Sequence, residues 1–143
     1  MKFHAHILAA TVGLLTLAAA PAVRAASPEL QALVPFTFSA GNTTLAAGSY
    51  TVERASGPQG ALMIRSLAGG VIILAQRGEK AVAGKSTRLV FHRYGDRYYL
   101  RQVWFQGTSG YGVPETAEER ESAARFNKLA SGPSVVTVIA KLG

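Results

Sequence analysis

The 143-residue chain contains no cysteine, which rules out a disulfide framework and a lipid-modified N-terminal cysteine, so its stability has to come from packing. Aspartate occurs once, as Asp96, and tryptophan once, as Trp104. Of the three histidines, His4 and His6 belong to the N-terminal segment, leaving His92 alone in the body of the chain. No histidine or cysteine spacing can hold zinc. A nucleophilic triad would have to join His92 to Asp96, which sits too near it in one hairpin and points out of the turn. Acidic residues are scarce, 8 against 15 Lys plus Arg. Glu115, Glu118, Glu119 and Glu121 fall in one helical segment, where they read as stabilising surface charge, and Glu29, Glu53 and Glu79 are scattered. Paired-carboxylate chemistry therefore has no evident site. The segment from Gly78 to Ser86, GEKAVAGKS, follows an apolar strand but has one residue too many between its first glycine and Gly-Lys-Ser to wrap a phosphate. Nucleotide binding is set aside, and no cofactor or metal is expected.

The first 25 residues stand apart. Lys2 supplies a short positive region, Ile7 to Ala20 is an apolar run, and Val23 and Ala25 put small residues at the −3 and −1 positions of a signal-peptidase site. The run is shorter than the ~20 residues a spanning helix needs. Residues 1–25 are expected to be a cleaved signal peptide, with no transmembrane segment after processing, and residues 26–143 a single periplasmic or extracellular β-rich domain. Loss of Lys2 and Arg24 lowers the 15 basic residues to 13 against the 8 acidic ones, a balance of +5 that favours anionic partners. The exported address disfavours nucleic acid.

β-branched and aromatic residues concentrate in one stretch. Thr87 to Phe105, TRLVFHRYGDRYYLRQVWF, reads as one hairpin around Gly95-Asp96, since glycine at the first central position suits a type II′ turn. Counting outward from that turn pairs His92 with Tyr99, Val90 with Arg101 and Arg88 with Val103 on a basic, aromatic face. Phe91 with Leu100, Leu89 with Gln102 and Thr87 with Trp104 fall on the opposite, core face, so Trp104 is expected to be buried.

Ala26 to Ala32 reads as a loose lead-in and Leu33 to Phe38 as a first strand interrupted by Pro35, with Phe36 and Phe38 facing inward. Alternation places Tyr50 and Val52 inward in Ser49 to Arg54. Ala61 to Leu67 is a further strand, and Val71 to Ala75, apolar throughout, reads as a central strand covered on both faces. Pro114 to Ala130 is a helix with capping-box spacing at Thr116 and Glu119, docked by Ala123, Phe126, Leu129 and Ala130. Ser134 to Lys141 closes the domain. The fold class is all-β: an antiparallel sandwich or partly closed barrel of about seven strands, with one helix in the C-terminal half.

The segments Val34-Pro35-Phe36-Thr37-Phe38, Leu45 to Val52 (LAAGSYTV), and Leu89 to Leu100 (LVFHRYGDRYYL) with Val103-Trp104 resemble an uncharacterised family of small secreted bacterial proteins, abundant as paralogues in acidobacteria. The likeness covers most of the chain beyond the leader, and Ala46 stands where the pattern has proline. It implies an exported β-rich domain. The family carries no established activity, so no functional residue transfers.

The functional expectation is an exported non-catalytic domain that binds anionic envelope polymer or a protein partner, with Arg88, His92, Tyr99 and Arg101 as its binding face. The blander reading of His92 is a cross-strand pair with Tyr99 on a solvated face. A lipocalin-like carrier, requiring an apolar cavity of ~300 Å³ or more, is the alternative. A cofactor-free hydrolase comes third.

Overall fold

The computed structural model describes residues 29–55, 60–78, 86–107, 110–128 and 132–143. The leader, residues 79–85 of the basic connection, and Leu129 and Ala130 of the expected helical stripe lie outside the described residues.

The fold is all-β. The first half supplies β1 (Glu29–Val34), β2 (Phe38–Ala40), β3 (Thr43–Leu45), β4 (Gly48–Arg54), β5 (Ala61–Ser66), β6 (Gly69–Leu74) and β7 (Gln76–Arg77). The second half supplies β8 (Arg88–Tyr94), β9 (Arg97–Trp104), β10 (Gly110–Gly112), the helix α1 (Ala117–Asn127), β11 (Ser134–Ile139) and β12 (Lys141–Leu142). Among the described residues seven strands, β1, β4, β5, β6, β8, β9 and β11, have six residues or more, as the alternation in the sequence implies. The others are short links. No helix among the described residues is long and apolar enough to cross a membrane.

One sheet has the order β12-β1-β4-β5-β6 and the other β11-β8-β9-β10-β7, with β2 joining β9 in parallel through Ser39 and Tyr99. Two bent strands tie the sheets together. β6 runs into β7 through Ala75, and β11 into β12 through Ala140, so each changes sheet at an alanine. At both corners the alanine N–H remains bonded, Ala75 to the Gly60 carbonyl and Ala140 to the Thr87 carbonyl at 3.0 Å. Strands that switch sheets at corners are how a sandwich curls toward a barrel.

Between the sheets the space is filled. Leu30, Val34, Phe38, Val52, Leu62, Ile64, Leu89, Phe91, Val103 and Phe105 are buried, and Tyr50, as its alternation implies, points inward with Val52. Phe38 meets Phe91 and Tyr50 edge-on at 5.3 and 5.2 Å. Such contacts add to the burial of the rings.

Three expectations are corrected. From Glu29 to Ala32 the chain is not a loose lead-in: Leu30, Ala32 and Val34 alternate inward along β1, which pairs with β4 over six residues, so the proline ends a strand instead of interrupting one. Val71 to Ala75 is not central, because β6 lies at the end of its sheet with Ile72 and Leu74 exposed. Trp104 is not in the core. The hairpin follows the expected pairing through Phe91 and Leu100, with Gly95 at φ 64° and Asp96 not in the positive-φ region, as type II′ geometry requires. Arg101 is then an extra residue on β9, so Val90 meets Gln102, Leu89 meets Val103 and Arg88 meets Trp104. This bulge inverts the alternation beyond it. Without it, Gln102 would face the core; with it, Val103 and Phe105 do.

Candidate functional site

The outer face of the second sheet carries the side chains with chemistry, and α1 divides it into a covered and an open half. The helix starts at the expected capping spacing and not at Pro114, with Thr116 as N-cap accepting the Glu119 N–H at 3.2 Å. The side it turns to the sheet is polar: Glu119 and Ser122 are buried, while Phe126, half-buried, meets Tyr94 edge-on at 6.2 Å. The expectation that all four helix glutamates are surface charge fails at Glu119, because basic and hydroxyl groups on the hairpin need its carboxylate.

Glu119 is 2% exposed and holds the covered half together. Its Oε2 accepts from Arg101 Nη1 at 3.0 Å and its Oε1 from the Tyr94 hydroxyl at 3.4 Å. His92 Nδ1 stands 3.7 Å from Oε1, a contact that becomes an ion pair only when the ring is protonated. Beside them the Tyr99 and Ser122 hydroxyls are 2.7 Å apart. Burial, with a smaller contribution from the neighbouring carboxylates of Glu119 and Glu115, pushes the Tyr94 hydroxyl up. His92 and Tyr99 are the expected cross-strand pair, with Tyr99 buried under the helix and His92 partly exposed at its edge.

Burial, assisted by the Arg101 charge, holds the His92 imidazole below its ordinary value against the opposing pull of Glu119 and Glu115. The folded state therefore favours the neutral ring. The corresponding stability is fully present above the unfolded-state value of ~6.5 and declines as pH falls from there through the lower folded value, where the unfolded chain binds the extra proton. Thermal midpoints measured from pH 7.5 to 5 should fall less steeply for His92→Gln than for the wild type. Parallel curves would remove His92 from the acid response.

The open half has a different character. Arg88, paired with Trp104, sets its guanidinium 4.8 Å from the centre of the indole. The ring lies on Gly110: a Cβ there would come within 2.7 Å of the indole, so glycine is what lets the ring lie down on β10. Trp104 Nε1 donates to Gln102 Oε1 at 3.0 Å. The next row across the strands runs Thr137, Val90, Gln102, Gly112, Gln76. A cleft of about 250 Å³ lined by Gln76, Gln102, His92, Arg101, Val113 and Pro114 joins this platform to the edge of α1. No carboxylate projects from the platform rows among the described residues.

Of the four residues expected to share a binding face, Arg88 lies on the open platform, His92 and Arg101 border the cleft, and Tyr99 is buried under α1. Sequence reasoning missed Gln102, Gln76, Gly110 and Glu119. For Glu119 a signal existed in Ser122 and Phe126, at i+3 and i+7 on one helical stripe; for Gln102 it lay behind the bulge. Among the described residues no group of three His, Asp or Glu side chains converges on a metal position. Set against protein-family models, curated proteins and solved structures, the chain matches none of them.

Proposed function

We propose that this chain is an exported, non-catalytic domain that binds an acidic glycan of the cell envelope on the open half of its second sheet. The observation that carries the reading is the supported indole: Trp104 lies on Gly110, held by Gln102, with the Arg88 cation against it. A flat aromatic surface takes the C–H face of a sugar ring, amides such as Gln102 and Gln76 offer both donors and acceptors to hydroxyls, and a guanidinium pairs with a carboxylate in a bidentate fork. Export rests on the pattern of residues 1–25. A non-catalytic role is supported by the engagement of Glu119, the one buried carboxylate near His92, in holding the helix. The carrier alternative has less in its favour, because Phe38, Phe91, Phe105 and Tyr111 occupy the interior where a ligand would sit, and a cleft of about 670 Å³ along β1 and β4 is open and lined by Gln31, Thr51, Arg65 and Lys141 as well as Leu33 and Leu67.

The test is affinity electrophoresis of the mature domain in gels containing a uronic-acid polymer, with a neutral glucan in parallel. Retardation is expected in the acidic gel, weakening as salt rises. Trp104→Ala and Arg88→Ala should each weaken binding about tenfold, the equivalent of ~1.4 kcal/mol, with circular dichroism unchanged. Arg101→Ala is a poor probe, since Arg101 also holds Glu119. Equal retardation of the wild type and Trp104→Ala would end the platform reading.

A further inference from the structure

Strand β6 has the sequence of an interior strand and the position of an edge strand. Val71 to Ala75 is apolar at both parities, the pattern of strands with neighbours on each side and cover on each face. The inward parity is satisfied, with Ile73 and Ala75 buried, but Ile72 is 60% and Leu74 76% exposed. Among the described residues β6 bonds only to β5, which leaves one row of its backbone N–H and C=O groups without a strand partner. Exposed edges are ordinarily guarded by charge, proline or shortness. β12 and β7 follow that rule, being two residues each and carrying Lys141 and Arg77. β6 does not, being six residues, GGVIIL, with no charge and no proline; nor does β11, the terminal strand of the other sheet, but its exposed parity carries the hydroxyl of Thr137 between Val135 and Ile139, whereas beyond its glycines β6 exposes only Ile72 and Leu74.

We propose that β6 pairs antiparallel with the β6 of a second copy of this chain, joining the two five-stranded sheets across a twofold axis. An isologous contact must be self-complementary. A charge-free strand meets its own copy with no like charges opposed. Pairing also extends an existing stripe, since Met63 lies beside Ile72 and Ala61 beside Leu74 on β5. A register with Ile72 opposite its copy carries that stripe across the joint and removes both side chains from water. The contact is on the other sheet from Trp104, so it stands or falls separately from glycan binding.

The test is the mass of the mature domain by light scattering after size exclusion, at loading concentrations up to roughly 0.1 mM, a range that reveals a micromolar dimer. A dimer is expected, and Ile72→Lys should raise its dissociation constant at least about tenfold. Val135→Lys, on the other uncharged six-residue strand, β11, should leave it unchanged. A monomeric wild type overturns the proposal, as does a dimer that survives Ile72→Lys or is lost in Val135→Lys. If Ile72→Lys fails to fold, hydrogen exchange of the wild type decides: β6 amides should gain protection with concentration, and concentration-independent exchange there overturns it.

Discussion

Phe91→Ala should cost about 3–5 kcal/mol, while Trp104→Ala should cost about 1 kcal/mol. Phe91 is fully buried, with Phe36 and Phe38 edge-on at 5.0 and 5.3 Å, so truncation removes the ring from the middle of a three-ring cluster between the sheets. The chain has no cysteine and hence no crosslink to offset the loss. For a domain whose total stability is of order 5–15 kcal/mol, that loss leaves a marginal fold. Trp104, half-buried on the outer face, gives up contact with Gly110 and Arg88 but opens no cavity in the core. Urea melts of the two variants measure both. A larger loss for Trp104→Ala than for Phe91→Ala would mean that the bulge at Arg101 is absent in solution and the end of the hairpin faces the other way.

Glu119→Ala should cost about 2–3 kcal/mol, against less than ~0.5 kcal/mol for Glu118→Ala one residue away. Both carboxylates contact an arginine, Glu118 with Arg97 at 3.1 Å and Glu119 with Arg101 at 3.0 Å. Burial separates them. The Glu118 and Arg97 side chains are both about half exposed, so water replaces whatever the pair loses. Removing Glu119 strands Arg101 beneath the helix and leaves the Tyr94 hydroxyl short of an acceptor. Arg101 keeps 24% of its side-chain surface, which is why the figure falls below the ~3–5 kcal/mol of a fully buried pair. Adding Arg101→Ala to Glu119→Ala should recover part of the loss, because no orphan charge then remains. Equal losses at Glu118 and Glu119, with additive behaviour at Arg101, would place Glu119 in solvent.

Local pattern made several elements legible before any tertiary contact was known. Alternation at Tyr50 and Val52 turned both inward, the glycine before Asp96 set a type II′ turn, and Thr116 with Glu119 marked the start of α1. Each depends on residues within a few positions of one another, which a period or a turn preference constrains directly. The same means yielded the all-β class and six of its seven longer strands, all but β1.

What the sequence by itself determined was therefore most of the longer strands, where the hairpin turns and which segment is the helix, while β1, read as a loose lead-in, was not among them. The tertiary structure alone decided where those segments stand and which side chains meet. A period-two pattern reports that side chains alternate but not where an extra residue enters, so the bulge at Arg101 moved Trp104 out of the core and Val103 into it. An apolar run reports a strand but not its neighbours, so β6 reads as central and lies at an edge. A glutamate in a first helical turn is worth something to the helix wherever the helix docks. That Glu119 is the one turned onto Arg101, Tyr94 and His92, dividing the basic face into a covered half and an open one, follows from how α1 crosses β8 and β9, a relation between residues far apart in the chain that no local preference encodes.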